Sequence, residues 1–155
     1  MSAPQSIYIE APVKKVFDFY RDPRNSQMLG TEPRFQLTQV HLTEEGLGTF
    51  WVASFKLPGG RAEFFGVYTE FVPNKRIVER YSLAFEGTWT HTFDPEGSGT
   101  RVTVQRHPRS FWRLGLFDKL VDLREGPASE RYLAKLKEFM EANSAPVSPA
   151  AKGSS

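Results

Sequence analysis

The order of patterned segments constrains this chain more than any motif in it. A short strand and a short helix open it over Ser6–Arg21. Strand-like runs fill the middle, and an amphipathic helix of about Pro127–Asn143 closes it. A sheet built in that order needs one face covered, and the closing helix is the element long enough to cover it. One helix does not fill a whole concave face, so the order itself points to a cavity and to small-molecule binding.

The strand readings rest on alternation and the helix readings on a period near four. Ile7 and Ile9 alternate with polar neighbours in Ser6–Glu10, and Ala11-Pro12 stops the run. Pro12 suits a helix start, and Val13, Val16, Phe17 and Tyr20 follow at helical spacing. Pro23–Leu29 forms a second short helix. Strands are expected over Phe35–Leu42, Thr49–Leu57, Arg61–Val72, Arg76–Ala84, Thr88–Phe93 and Thr100–Arg106, separated by Gly, Pro and Asn signals. Lys119–Arg124 reads as helical, and Gly126-Pro127 should kink or restart the helix before the stripe Tyr132, Leu133, Leu136, Phe139, Met140. Ser144–Ser155, rich in Ser, Ala and Pro, is expected to be a disordered tail, leaving residues 1–143 as one domain.

Composition closes off several classes of function. The chain has no Cys, hence no disulfide framework and no thiolate nucleophile. Its three His (His41, His91, His107) lack ligand spacing, so no metal and no cofactor are expected. The net charge of +2 gives no reason to expect nucleic acid. No apolar run spans a membrane, and Met1–Ser6 lacks the pattern of a signal peptide, so a cytoplasmic protein is expected. Gly46 and Gly48, and Gly97-Ser98-Gly99, read as turns rather than as a dinucleotide fingerprint or a nucleophile elbow.

Aromatic residues are 14% of the chain, with 13 Phe and 3 Trp, enough to line a pocket as well as fill a core. Alternation puts Trp89, His91 and Phe93 on the inner face of one strand and Ile77, Glu79, Tyr81 and Leu83 on that of its neighbour. With Phe85-Glu86-Gly87 as a three-residue hairpin loop and Gly87 left-handed, Tyr81 sits opposite His91 and Leu83 opposite Trp89. Trp51, Ala53, Phe55 and Leu57 form a third inner set. Glu63, Phe65, Val67, Thr69 and Phe71 form a fourth, although Phe64 and Tyr68 compete for that face.

The stretch Ser6–Arg24 (SIYIEAPVKKVFDFYRDPR) resembles the opening of the START-like superfamily, which includes polyketide cyclases/dehydrases and lipid-transport proteins. Gly66–Pro73 followed by Arg76-Ile77-Val78 is similar to that group's strand–proline–strand step. Phe93–Val104 is similar to its approach to the last strand. The resemblance spans about Ser6–Ala142 and implies an α+β helix-grip fold. In that fold a curved antiparallel sheet wraps a long C-terminal helix, and two short helices follow the first strand. Members bind lipids, hormones or polyketides, and some catalyse reactions on them, with no shared catalytic motif.

The first expectation is therefore a small hydrophobic ligand, lipid-like or aromatic, lined by Trp51, Phe55, Phe65, Tyr81, Leu83, Trp89, His91 and Phe117. The second is a cyclase/dehydrase-type enzyme using His91, Tyr81 and Glu79 for acid–base work. The third is a protein- or RNA-interaction module through the Arg106–Arg113 surface, where Arg101, Arg106, Arg109 and Arg113 surround Phe111 and Trp112. On the first reading that segment is a lid, with Phe111, Leu114, Leu116 and Phe117 closing the cavity. Edge strands leave a homodimer open.

Overall fold

The computed structural model describes residues 3–30, 35–82, 86–109 and 115–144, with backbone alone for 115–125 and 144. Seven strands form one antiparallel sheet: β1 (Gln5–Ile9), β2 (Phe35–His41), β3 (Phe50–Leu57), β4 (Gly60–Val72), β5 (Arg76–Ser82), β6 (Glu86–Glu96) and β7 (Gly99–Arg109). Their order across the sheet is β1-β7-β6-β5-β4-β3-β2, a meander whose last strand pairs with the first. Helix α1 (Val13–Arg21) and a 3₁₀ helix (Pro23–Leu29) follow β1, and α2 (Gly115–Ser144) closes the chain. This is the expected α+β helix-grip architecture. No helix among the described residues is long and apolar enough to cross a membrane.

Each helix is held by the face its sequence period makes apolar. Val16, Phe17, Phe19 and Tyr20 of α1 are buried, as are Leu133, Leu136 and Met140 of α2. They meet Ile9, Tyr68, Ile77, Phe93 and Val102 in one core cluster. Phe93 is the ring around which Phe17 and Tyr20 pack edge-on, at 5.2 and 4.9 Å. Polar ties then set the angle of α2 against β1. Lys137 Nζ donates to the Tyr8 carbonyl at 2.9 Å, and Gln5 Nε2 donates to the Gly126 carbonyl at 3.2 Å.

Three expectations change. First, α2 does not restart at Pro127; it runs unbroken from Gly115, with Pro127 inside it. Proline removes one helical donor, and the packing and polar ties of the rest of the helix outweigh that single loss. Second, the β5–β6 hairpin turns earlier than expected. Ser82 pairs with Glu86, Tyr81 with Gly87, Glu79 with Trp89 and Ile77 with His91. Gly87 is thus a strand residue without positive φ. It is needed for a different reason, because the Tyr81 ring lies where a Cβ would be. The shift is even, so the inner and outer faces stay as expected while every partner changes.

Third, β4 presents the other face. Gly66 and Tyr68 are buried and Phe64 is partly buried, while Glu63 and Phe65 are exposed. Gly66 decides this, since Trp51 and Glu79 close over it and leave no room for a side chain. A bulge between Tyr68 and Glu70 then inserts one residue. It reverses the alternation, so that Tyr68 and Phe71 both turn inward and stack at 6.3 Å. On β3 the inner set holds for Trp51 and Ala53, both buried, and for partly buried Phe55, but Leu57 at the strand end is exposed. Gly46, Gly48 and Gly97 do occupy turns with positive φ.

Two measurements check these packing claims. Gly66→Ala forces a methyl group against Trp51 and Glu79 and should lower stability by about 1–3 kcal/mol in urea unfolding. Leu136→Ala, at a fully buried position, should cost about 2–5 kcal/mol. A loss under about 0.5 kcal/mol in either would contradict the packing.

Candidate functional site

Beside the main core lies a second aromatic group on the same face of the sheet. Phe35, Trp51 and Phe64, from β2, β3 and β4, pack at centroid distances of 5.0–5.7 Å. Tyr81 of β5 and Trp89 of β6 stack at 4.5 Å. Between this group and the core stands a buried polar station.

Its centre is Glu79 on β5 and His91 on β6, 7% and 8% exposed. The His91 Nε2 and Glu79 Oε2 atoms are 3.9 Å apart, an ion-pair distance but too long for a hydrogen bond. Trp51 Nε1 donates to the other carboxylate oxygen, Oε1. The Tyr20 ring packs on the His91 ring at 5.0 Å, and the Tyr68 hydroxyl donates to the Tyr20 carbonyl at 2.7 Å. The Tyr20 and Tyr132 hydroxyls interact electrostatically without forming a well-shaped hydrogen bond. His91 Nδ1 is buried with no hydrogen-bond partner. A buried polar atom left in that state is costly, by about 1–3 kcal/mol.

Of the expected catalytic set, the structure brings Glu79 and His91 together and sets Tyr81 apart. The residue opposite Tyr81 is Gly87, four residues from His91 on the same strand, or about 13 Å. The expected Tyr81–His91 pairing is therefore replaced by the Tyr81–Trp89 stack. Of the expected lining, Trp51, Phe55, Tyr81, Trp89 and His91 share the inner face. Phe65 is 46% exposed and turns away, by the β4 parity that Gly66 imposes. Leu83, and the side chain of Phe117, lie outside the described residues, as do Phe111, Trp112, Arg113, Leu114, the side chain of Leu116 and the expected tail beyond Ser144. Sequence reasoning missed Tyr20, Tyr68 and Phe64 as site residues. Tyr20 is hidden in a helix stripe, and the other two depend on the parity that Gly66 imposes on β4.

The expected basic surface is not assembled as read. Arg106 is buried, on the inner face opposite Trp89. Arg101 is paired with Glu96 at 2.6 Å. Arg109 lines a separate open groove of about 290 Å³ with Arg80, Glu86, Thr88 and His107.

The station titrates in a way that burial dictates. Loss of water pushes the Glu79 carboxyl up to about 7, against the Trp51 hydrogen bond, which lowers it. The same loss pulls the His91 imidazole down to about 4. At neutral pH His91 is therefore uncharged. Glu79 keeps its proton in the native state where the unfolded chain has lost it. Its stabilisation is complete below pH 4.5 and disappears as the pH rises through about 7. His91 does the reverse: its contribution is complete above pH 6.5 and disappears as the pH falls through about 4. Each amounts to roughly 3 kcal/mol at about 1.4 kcal/mol per pH unit, and over the shared interval they cancel. Removing one group should expose the other. Relative to wild type, Glu79→Gln should gain stability steeply as the pH rises from 4.5 to 7, and His91→Phe should lose it as the pH rises from 4 to 6.5. Urea unfolding at each pH reads both slopes, and parallel profiles for all three proteins would contradict the assignment.

Comparison with known proteins agrees with this architecture. Residues 10–141 match the family model described as Activator of Hsp90 ATPase homolog 1-like protein. A search of curated proteins gave no match. Among solved structures, protein CV1439 from Chromobacterium violaceum is similar at a TM-score of 0.70 and 18% identity, over 90% of this chain and 96% of that one. TTHA0849 from Thermus thermophilus is similar at a TM-score of 0.67 and 23% identity, over 92% and 99%. Protein Ms6760 from Mycobacterium smegmatis gives a TM-score of 0.68 and 16% identity, over 88% of each chain. At these identities the structures speak to the fold alone, whereas the family model covers most of the sequence. A meander closed by β1, a long C-terminal helix on its inner face and a family match over residues 10–141 lead to one assignment: the chain belongs to the Activator of Hsp90 ATPase homolog 1-like family, within the START-like superfamily.

Proposed function

We propose that this protein binds a small hydrophobic molecule, aromatic or lipid-like, on the inner face of its sheet. The ligand lies against Trp51, Phe64, Tyr81 and Trp89 and is oriented by a hydrogen bond to His91. The observation that carries this reading is His91 Nδ1, buried and without a partner beside an aromatic wall. An apolar pocket with a few placed polar groups is how small-molecule sites are built. A ligand hydroxyl or carbonyl supplies the missing partner, and the surrounding rings exclude water from it. The Glu79 carboxyl lies 3.9 Å from the imidazole's other nitrogen, Nε2.

A second reading follows from Glu79 itself. A carboxyl near 7 is poised to exchange a proton at physiological pH. With neutral His91 beside it, it suits proton transfer to or from carbon next to a carbonyl, the chemistry of a cyclase or dehydrase. Tyr81 takes no part in this version, because it lies over Gly87. The matched family's name refers to activation of an ATPase. A protein-partner role through Arg106–Arg113 draws no support from Arg106, which turns inward.

Native mass spectrometry of the purified protein, followed by identification of any released compound, tests the binding reading. His91→Phe should then weaken that compound's binding about tenfold while leaving the ligand-free protein as stable or more stable at pH 7, since an unsatisfied polar group is gone. Equal affinity in both forms would remove His91 from the site. If the compound is turned over, Glu79→Gln should lower the rate about 100-fold or more. An unchanged rate would exclude the acid–base reading.

A further inference from the structure

The outer face of the sheet carries a groove that the inner-face site does not use. Alternation turns Glu79, Tyr81, Trp89 and Arg106 inward. Arg80 on β5, Glu86 and Thr88 on β6, and His107 and Arg109 on β7 therefore point the other way. Their burial agrees, since each of the five is exposed or only partly buried. Strand register gathers them. Arg80 is opposite Thr88, Thr88 is opposite His107, and Glu86 is opposite Arg109. All five border the open groove of about 290 Å³, and Gly87 and Pro108, paired with each other, complete its lining. That volume sits at the lower end of small-molecule sites, roughly 300 Å³.

The polar atoms of the groove are unevenly used. Arg80 Nη2 donates to Glu86 Oε2 at 2.8 Å, and both side chains are half-exposed. An exposed pair of this kind adds little stability, so Arg80 turns to an incoming anion at small cost. Arg109 stands opposite Glu86, yet that carboxylate pairs with Arg80 instead. Among the described residues, the side chains of Arg109, Thr88 and His107 have no hydrogen-bond or ion-pair partner. Two fixed positive charges thus face one negative charge. Donors from two guanidiniums, a hydroxyl and an imidazole face one carboxylate that is already engaged.

We propose that this groove binds the phosphate group of a small phosphate monoester, held between Arg80 and Arg109 with Thr88 and His107 donating to it. A monoester phosphate carries close to two negative charges at neutral pH and three strong acceptor oxygens. That suits two guanidiniums and two further donors better than a carboxylate, with one charge and two oxygens. A bare phosphate does not fill the groove, which leaves room for an organic body. Glu86 competes with the ligand for Arg80 and repels its charge. The groove lies on the opposite face from Glu79 and His91, and its assignment stands independently of the inner-face reading.

The test uses phenyl phosphate, benzoate and vesicles containing phosphatidic acid, which carries the same monoester on a lipid, at about pH 7.5, where the phosphate is dianionic. In calorimetric titrations wild type should bind phenyl phosphate about tenfold or more tightly than benzoate. Arg109→Gln, a change at an exposed and unpaired side chain, should weaken phenyl phosphate about tenfold. Glu86→Gln should tighten it about threefold or more by removing the competing charge. The absence of phenyl phosphate binding to wild type up to about 10 mM would overturn the proposal. So would equal binding of benzoate, unchanged affinity in Arg109→Gln, or weaker binding in Glu86→Gln. Binding confined to the vesicles would also overturn it, by moving the phosphate from a small molecule to a lipid surface. The wild-type comparison of phenyl phosphate with benzoate decides the matter even where a variant folds poorly.

Discussion

The site depends on one close approach: Trp51 and Glu79 meeting over the bare backbone of Gly66. The residue opposite Gly66 on β3 is Trp51, and on β5 it is Tyr81. Because position 66 has no side chain, the indole can lie across β4 and deliver its N–H to a carboxylate one strand further on. That contact sets the parity of β4, sending Phe64 and Tyr68 inward and Phe65 outward. It also supplies a hydrogen bond that eases a buried carboxylate.

The consequence is an electrostatic compromise. Glu79 and His91 are each held away from their ordinary protonation by loss of water, in opposite directions. Well-packed apolar residues would satisfy the fold at less cost, as buried charged groups seldom add net stability. The sheet nonetheless keeps both, and keeps one ring nitrogen without a partner beside aromatic walls. Stability given up in one place on a covered face is the usual mark of a site shaped by something other than folding.

The helix-grip frame explains where such a site can exist. The C-terminal half of α2 is tied to β1 and packs on the core through Leu133, Leu136 and Met140. At Gly126 it presents no side chain to the sheet. The inner face is therefore apolar at one end and carries polar groups along the row from Gln5 to His91. The partly buried Val104 lies between these two.

Much of this was legible in the sequence. The element order, the inner faces of β3, β5 and β6, the stripe of α2 and the grouping of Glu79 with His91 as polar members of an aromatic face all follow from periods of two and near four, which are local properties of the chain. The rest depends on contacts between distant segments. The hairpin register turns on whether Gly87 serves a turn or lies beneath the Tyr81 ring, and both uses look alike in sequence. The face of β4 turns on Gly66 and on a bulge after Tyr68, which only a neighbouring strand can define. Pro127 reads as a break until the packing of the surrounding helix is present to outweigh it. Outside β4, local periodicity determined which residues turn inward. Only the tertiary structure decided which of them meet, because register, bulges and the burial that shifts Glu79 and His91 are properties of segments brought together rather than of any one segment.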